Sequence, residues 1–178
     1  MNIQSAVVSL ILLFIHGSVL VLSLQRKEAA FINLGTTGSD YAQSVAYGDN
    51  GFYVGGSTTG NLAFNLTTSM VNNGGSDAFL IKYTNKGELL WGVGFGTPVS
   101  DNLQSVKASS DSVYVTGHTF GNMLGHTNAG SSDVFVVKYS SEGELKWSKL
   151  FGTTSTDLGL GIGVSSDGVY VTGGTGGN

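Results

Sequence analysis

The chain has 178 residues, 28 of them glycine, with one proline, no cysteine, a net charge of −4 and only 11% charged residues. The lack of cysteine excludes a disulfide framework and a thiolate metal site. The lack of a Lys/Arg stripe removes the electrostatic footprint of a nucleic-acid binder, and so few charges exclude a disordered polyampholyte or a coiled coil. Apolar residues make up 40% of the chain. β-Branched and aromatic types are prominent among them, which favours strands.

The first element is apolar. Ala6 to Leu24 is broken only by Ser9, His16, Gly17, Ser18 and Ser23, and charge begins at Arg26-Lys27-Glu28. Residues 1–24 read as a signal peptide, with Val21 and Ser23 at the −3 and −1 positions of a cleavage site. No Lys or Arg precedes the run. The alternative is membrane anchoring through 6–24, since the run approaches the ~20 residues that span a bilayer. Either reading makes the rest of the chain secreted or displayed at the cell surface.

From residue 31 onward the sequence repeats. Tyr53-Val54-Gly55-Gly56 recurs as Tyr114-Val115-Thr116-Gly117 and Tyr170-Val171-Thr172-Gly173, 61 and then 56 residues apart. A period in this range marks an array of supersecondary units. Each unit holds four apolar runs. The first is Gln43–Ala46, matched by Gln104–Lys107 and Leu160–Gly163. A tight turn follows (Gly48-Asp49-Asn50-Gly51 and its partners), of residue types that tolerate left-handed backbone or bond their own main chain. The second run contains the Tyr-Val pair. A Gly-x-Thr-x-Gly segment and a variable loop come next: Asn61 to Asp77 spans 16 residues, Asn122 to Asp133 spans 11. That difference accounts for the change in period and places these segments on the surface.

The third run, Ala78–Tyr83 and Val134–Tyr139, is apolar without alternation, as suits a strand buried on both faces. A second turn carries Gly87 and Gly143 where a left-handed residue would close a hairpin with a bulge. The fourth run holds Trp91 and Trp147 and ends at Phe95-Gly96-Thr97 and Phe151-Gly152-Thr153. Four antiparallel strands in ~56 residues make one propeller blade, and blades must stack to bury their faces. No segment after residue 30 has a helical period, which excludes a helical solenoid. A β-sandwich stays open.

The predicted class is all-β: a β-propeller segment of about two and a half four-stranded blades, an incomplete ring behind the leader. The divisions are a closing strand at 31–35, blades at 40–96 and 101–152, and a partial blade at 157–178. The inventory predicts a fragment of a longer propeller; the alternative is several copies sharing one ring, with self-association through open blade edges.

Gly75-Ser76-Asp77-Ala78-Phe79, Gly87 to Trp91, Gly143 to Trp147 and the Tyr-Val-x-Gly runs together resemble the SBBP family of seven-bladed β-propeller repeats, over Leu34 to Asn178. The resemblance implies a propeller fold in a surface or secreted protein and implies no particular activity. Lys82 to Trp91 is also similar to a quinoprotein blade, where the tryptophan locks neighbouring blades. That likeness implies packing roles for Trp91 and Trp147 and carries over no quinone or calcium ligand.

The recurring aspartates, Asp40, Asp101 and Asp157 in one register and Asp77 and Asp133 in another, suit calcium through carboxylate oxygens. Turn capping at a strand start ranks ahead of it. Asp77 and Asp133 are the calcium candidates, and no other cofactor is expected. Trp91, Trp147, Tyr53, Tyr114 and Tyr170 could be sugar platforms, but their recurrence at strand positions ranks inter-blade packing first. His118 and His126 read as exposed loop histidines, and two without a third ligand make a poor zinc site. Gly159 to Gly163 precedes a strand and is no phosphate loop, and no Gly-x-Ser-x-Gly elbow is present. Asn65-Leu66-Thr67 is a glycosylation sequon.

No residue is expected to be catalytic. The leading functional reading is a recognition or scaffold module for a protein or glycan, with loops 62–73 and 124–128 as contact segments. Part of a propeller enzyme (a lyase, glycosidase or quinoprotein-like protein) is the alternative.

Overall fold

The computed structural model describes residues 19–25, 28–48, 50–64 and 69–177. They form twelve strands: β1 (Val19–Gln25), β2 (Glu28–Leu34), β3 (Asp40–Gly48), β4 (Gly51–Thr58), β5 (Asp77–Tyr83), β6 (Leu89–Phe95), β7 (Asp101–Ala108), β8 (Ser112–Thr119), β9 (Asp133–Ser140), β10 (Leu145–Phe151), β11 (Asp157–Val164) and β12 (Val169–Thr175). All pairings between strands are antiparallel. Two sheets are complete four-stranded meanders, β3-β4-β5-β6 and β7-β8-β9-β10, and two are hairpins, β1-β2 and β11-β12. No helix of the described residues is long and apolar enough to cross a membrane. The chain is an all-β propeller segment whose sheets do not close a ring.

Local chemistry sets these strands. The glycines of the second turn sit at φ +84° (Gly87) and +90° (Gly143), backbone that a side chain rarely adopts. Beside them the ladders slip by one residue, between Tyr83 and Lys82 and between Leu145 and Trp147. Each first strand also carries a bulge, at Ala42/Ser44, Leu103/Ser105 and Gly159/Gly161. The additional residues are Gln43, Gln104 and Leu160, one per repeat. Bulges strengthen local twist, which innermost strands of stacked sheets require.

β4 and β5 are buried along their whole length, as central strands of a sheet covered on both faces. One face of the first blade (Tyr53, Leu80, Phe95) packs on Leu103, Val113, Val115, Phe135 and Val137 of the second. Its other face (Phe52, Val54, Phe79, Ile81) is covered by Leu62, Phe64 and Met70 from its own loop, with Ile32 and Leu34 from β2. So blades stack in a constant sense: the Tyr53 face of one meets the Val113 face of the next.

The final strand of the opening unit, expected over 31–35, runs Glu28–Leu34. β1 pairs with it, Val19 opposite Leu34 and Gln25 opposite Glu28. β1 falls on the end of the apolar run expected as a leader; residues 1–18 of that run lie outside the described residues.

Candidate functional site

The two ends of the stack differ. At one end lie short turns. At the other, the chain enters each blade at an aspartate and leaves the second strand into the variable loop. Across the first blade Asp40 pairs with Thr58 and Thr58 with Asp77. Across the second, Asp101 pairs with Thr119 and Thr119 with Asp133. These four aspartates, with Asp157, form rows at the loop-bearing end, and all are buried.

Their carboxylates hold loops. Asp40 accepts from Thr36 N at 2.7 Å and Thr58 Oγ1 at 2.5 Å. Asp101 accepts from Thr97 N at 2.6 Å, Thr97 Oγ1 at 2.9 Å and Thr119 Oγ1. Asp157 repeats the bond with Thr153 N at 2.6 Å. The spacing Gly-Thr-x-x-x-Asp (Gly35, Gly96, Gly152) is the sequence form of this bracket.

Asp77 and Asp133 work differently. Oδ2 of Asp77 accepts from Asn73 N at 2.8 Å, and Oδ2 of Asp133 from Ala129 N at 2.8 Å. The Oδ1 atom of each is buried without a hydrogen-bond partner among the described residues. Burial raises the Asp77 pKa above the usual carboxylate range, against the lowering by its Asn73 bonds. Burial also raises Asp101, and the nearby Asp77 charge adds to it. Among the described residues no group of three or more His, Asp or Glu side chains gathers to hold a metal ion.

A second clasp escapes a reading by residue type. Asn72 N donates to Asn61 Oδ1 at 2.9 Å, Asn72 Nδ2 to Thr58 O at 3.0 Å, and Gly74 N to Asn72 Oδ1 at 3.0 Å. Asn128 repeats all three with Asn122, Thr119 and Gly130, at 2.9, 3.0 and 2.8 Å. The loops therefore differ in length between fixed posts: Asn61 and Asn72 in one, Asn122 and Asn128 in the other. The signal lay in Gly-Asn after each second strand and Asn-x-Gly-x-Ser-Asp before each third. Gly74 and Gly130 fit closely against the following entry loop; a Cβ there would lie 2.1 Å from Pro98 O and 2.3 Å from Thr153 O.

The histidines correct an expectation. His118 is no loop residue: it lies on β8, half-buried, its ring 5.9 Å from Phe120. Its Nδ1 is buried without a partner, and Nε2 stands 3.5 Å from Asn102 Nδ2. Burial lowers its pKa, so the ring is neutral at pH 7. His126 is in a loop but half-buried, with Nε2 3.0 Å from Ser148 Oγ. The two histidines bond different strands and make no shared site. In the loops and strand ends of this end of the stack, Val71, Val99, Phe120 and Leu124 are exposed.

The aromatic residues lie away from the loops. Trp91 Nε1 donates to Ser141 O at 3.0 Å and Lys82 Nζ to the same oxygen at 2.8 Å, so two side chains of the first blade grip one turn of the second. Lys82 also sits 5.2 Å from the centre of the Tyr53 ring. A Cβ on Gly143 would stand 3.0 Å from the Trp91 indole. Gly87 faces Ile32 in the same way, at 3.2 Å. In the second blade, Trp147 lies 6.1 Å from Tyr114 and Lys138 5.2 Å from it. Tyr170 is exposed. The sequon residue Asn65 lies outside the described residues.

No known protein-family model matches the chain, and neither does any curated protein.

Proposed function

We propose that the chain is a non-catalytic recognition or scaffold module whose loop-bearing end contacts a protein or glycan. The carrying observation is that the segments of variable length, 61–76 and 122–132, both emerge at one end, between the same asparagine and aspartate posts. A rigid base with interchangeable loops is the usual division of labour between scaffold and contact surface. Exposed Val71, Val99, Phe120 and Leu124 at that end supply apolar contact area. The side chains that could run acid–base chemistry are committed elsewhere: three aspartates bracket the entry loops, two more anchor the variable loops, and the histidines lie apart.

We place the repeats in the SBBP-type propeller class on the motifs quoted above, and the protein outside the cell on its apolar N-terminal run. Because β1 begins at Val19, an exported form that keeps its first hairpin is processed at or before residue 18; Ala6 to Ser18 still offers an apolar core of the 7–15 residues a signal peptide needs. Calcium would meet only one bare carboxylate oxygen per blade, so its ligands would have to come mainly from carbonyls and water.

Glycan-array and peptide-display binding should lose its hits when exposed Val71 becomes Ser in the first loop and when exposed Phe120 and Leu124 become Ser at the second. Hits that survive both changes would overturn the loop assignment, and turnover of a glycoside or polyuronate by the intact chain would overturn the non-catalytic one.

A further inference from the structure

β12 is a second strand of a blade left at a sheet edge. Its counterparts β4 and β8 are covered by a third strand on their far side; among the described residues β12 pairs only with β11. Tyr170 is 55% exposed where Tyr53 is 2% and Tyr114 8%, and Val171 is 37% exposed where Val54 is 2%. Beside it the last strand of the second blade, β10, is exposed or half-buried along its length. Phe151 is 55% exposed, while its counterpart Phe95, at 7%, is packed edge-on against Phe135 at 5.7 Å. Two clefts fill the gap. One of about 340 Å³ is lined by Val136, Trp147, Lys149, Phe151, Val169 and Val171. The other, about 420 Å³, runs from Phe151 to Thr175. Lys138 Nζ and Trp147 Nε1 lack the carbonyl acceptor that Lys82 and Trp91 share, among the described residues.

β1-β2 is the matching half. Leu34-Gly35-Thr36 ahead of Asp40 stands in the register of Phe95-Gly96-Thr97 ahead of Asp101, so β2 is a fourth strand. β1 pairs with it as β5 pairs with β6: Val19 faces Leu34 as Ala78 faces Phe95. β1 is thus a third strand, and among the described residues its other edge is unpaired too. The opening hairpin is a blade's outer half and the closing hairpin is an inner half.

We propose that β12 of one copy pairs antiparallel with β1 of a second copy, so that two chains close one six-bladed ring with two blades shared between them. The twelve described strands amount to three blades per chain. Propellers have typically about 4–8 blades. The described strands of two chains supply six blades, within that range. The shared blade buries Tyr170 and Val171 as Tyr53 and Val54 are buried, and fills both clefts. The proposal rests on strand register and does not depend on the recognition reading.

The register of β4 with β5 sets the contact: Gly55 faces Leu80. In the shared blade Thr172 of one copy then faces Val21 of the other. The chain has no cysteine, so introduced thiols report cleanly. Full-length Val21→Cys and Thr172→Cys chains, mixed and mildly oxidised, should give a dimer band that reductant abolishes. Val21→Cys with Val169→Cys, three residues out of register, should give at least tenfold less. Native mass spectrometry of the unmodified chain should show twice the chain mass. A monomer, an open series of higher oligomers, a dimer that cross-links equally in both registers, or an N-terminus that begins after Ser23 and so lacks β1 would each overturn the proposal.

Discussion

Two seams built from the same sequence motifs meet different fates. Between the first and second blades the seam is closed from the inner strands to the outer. Ser44 and Ser57 Oγ accept from Val106 N and Leu103 N at 3.0 and 3.1 Å, joining the inner strands. Trp91 and Lys82 clamp the Ser141 carbonyl, and Phe95 packs against Phe135 and Tyr139. Between the second blade and β11-β12 the inner strands still meet, with Asp157 N donating to Ser132 O at 2.8 Å as Asp101 N donates to Ser76 O at 2.6 Å. The outer residues, Phe151, Trp147 and Lys138, lack that cover. The contrast shows that an aromatic residue of the fourth strand in this repeat becomes core when a third and fourth strand arrive beyond it.

Matched substitutions separate the seams. Phe95→Ala should cost about 3–5 kcal/mol, the usual loss for a buried aromatic. Phe151→Ala should cost under about 1 kcal/mol in dilute protein, like a surface change. Urea melts of both variants at low concentration measure the difference; equal costs would mean the outer face of the second blade is covered within one chain. Trp91→Phe keeps the ring and drops the bond to Ser141, at about 1–2 kcal/mol because the carbonyl is left unpaired. Trp147→Phe should fall within about 0.5 kcal/mol in the same dilute melt.

The smallest effect concerns pH. The folded pKa of Asp77 is raised by burial above its unfolded value near 3.8. Its contribution is therefore fully present below that value and is lost as pH rises through the folded pKa. Asp77→Asn removes this loss, so the variant's Tm relative to the parent should climb between pH 4 and pH 7. A relative Tm that falls over that interval would mean the carboxylate is held ionised by a partner.

Much of this was legible because backbone demands are local. Gly87 and Gly143 marked the turns, Tyr-Val-x-Gly the second strands, and continuous apolar runs the doubly covered β5 and β9. Three things were not. Val19-Leu20-Val21-Leu22 reads equally as the core of a leader and as a doubly buried strand, and only its pairing with β2 separates the two. His118 follows a Gly-rich stretch that looks like a loop, yet strand β8 runs on through Thr119 because Asn102 and Val134 pair with His118 on either side. The asparagine clasps join residues 11 and 6 positions apart, a spacing that no local turn rule covers.

The account turns on whether β12 is an edge or an interior strand in the working protein. Hydrogen exchange of its amides, followed against protein concentration, asks this directly. Amides of β8 should be protected to the same degree throughout. Those β12 amides that do not bond β11 should exchange fast in dilute solution and slow by at least tenfold as the second copy adds β1. Fast exchange in β12 at every concentration, with β8 protected, would contradict the account.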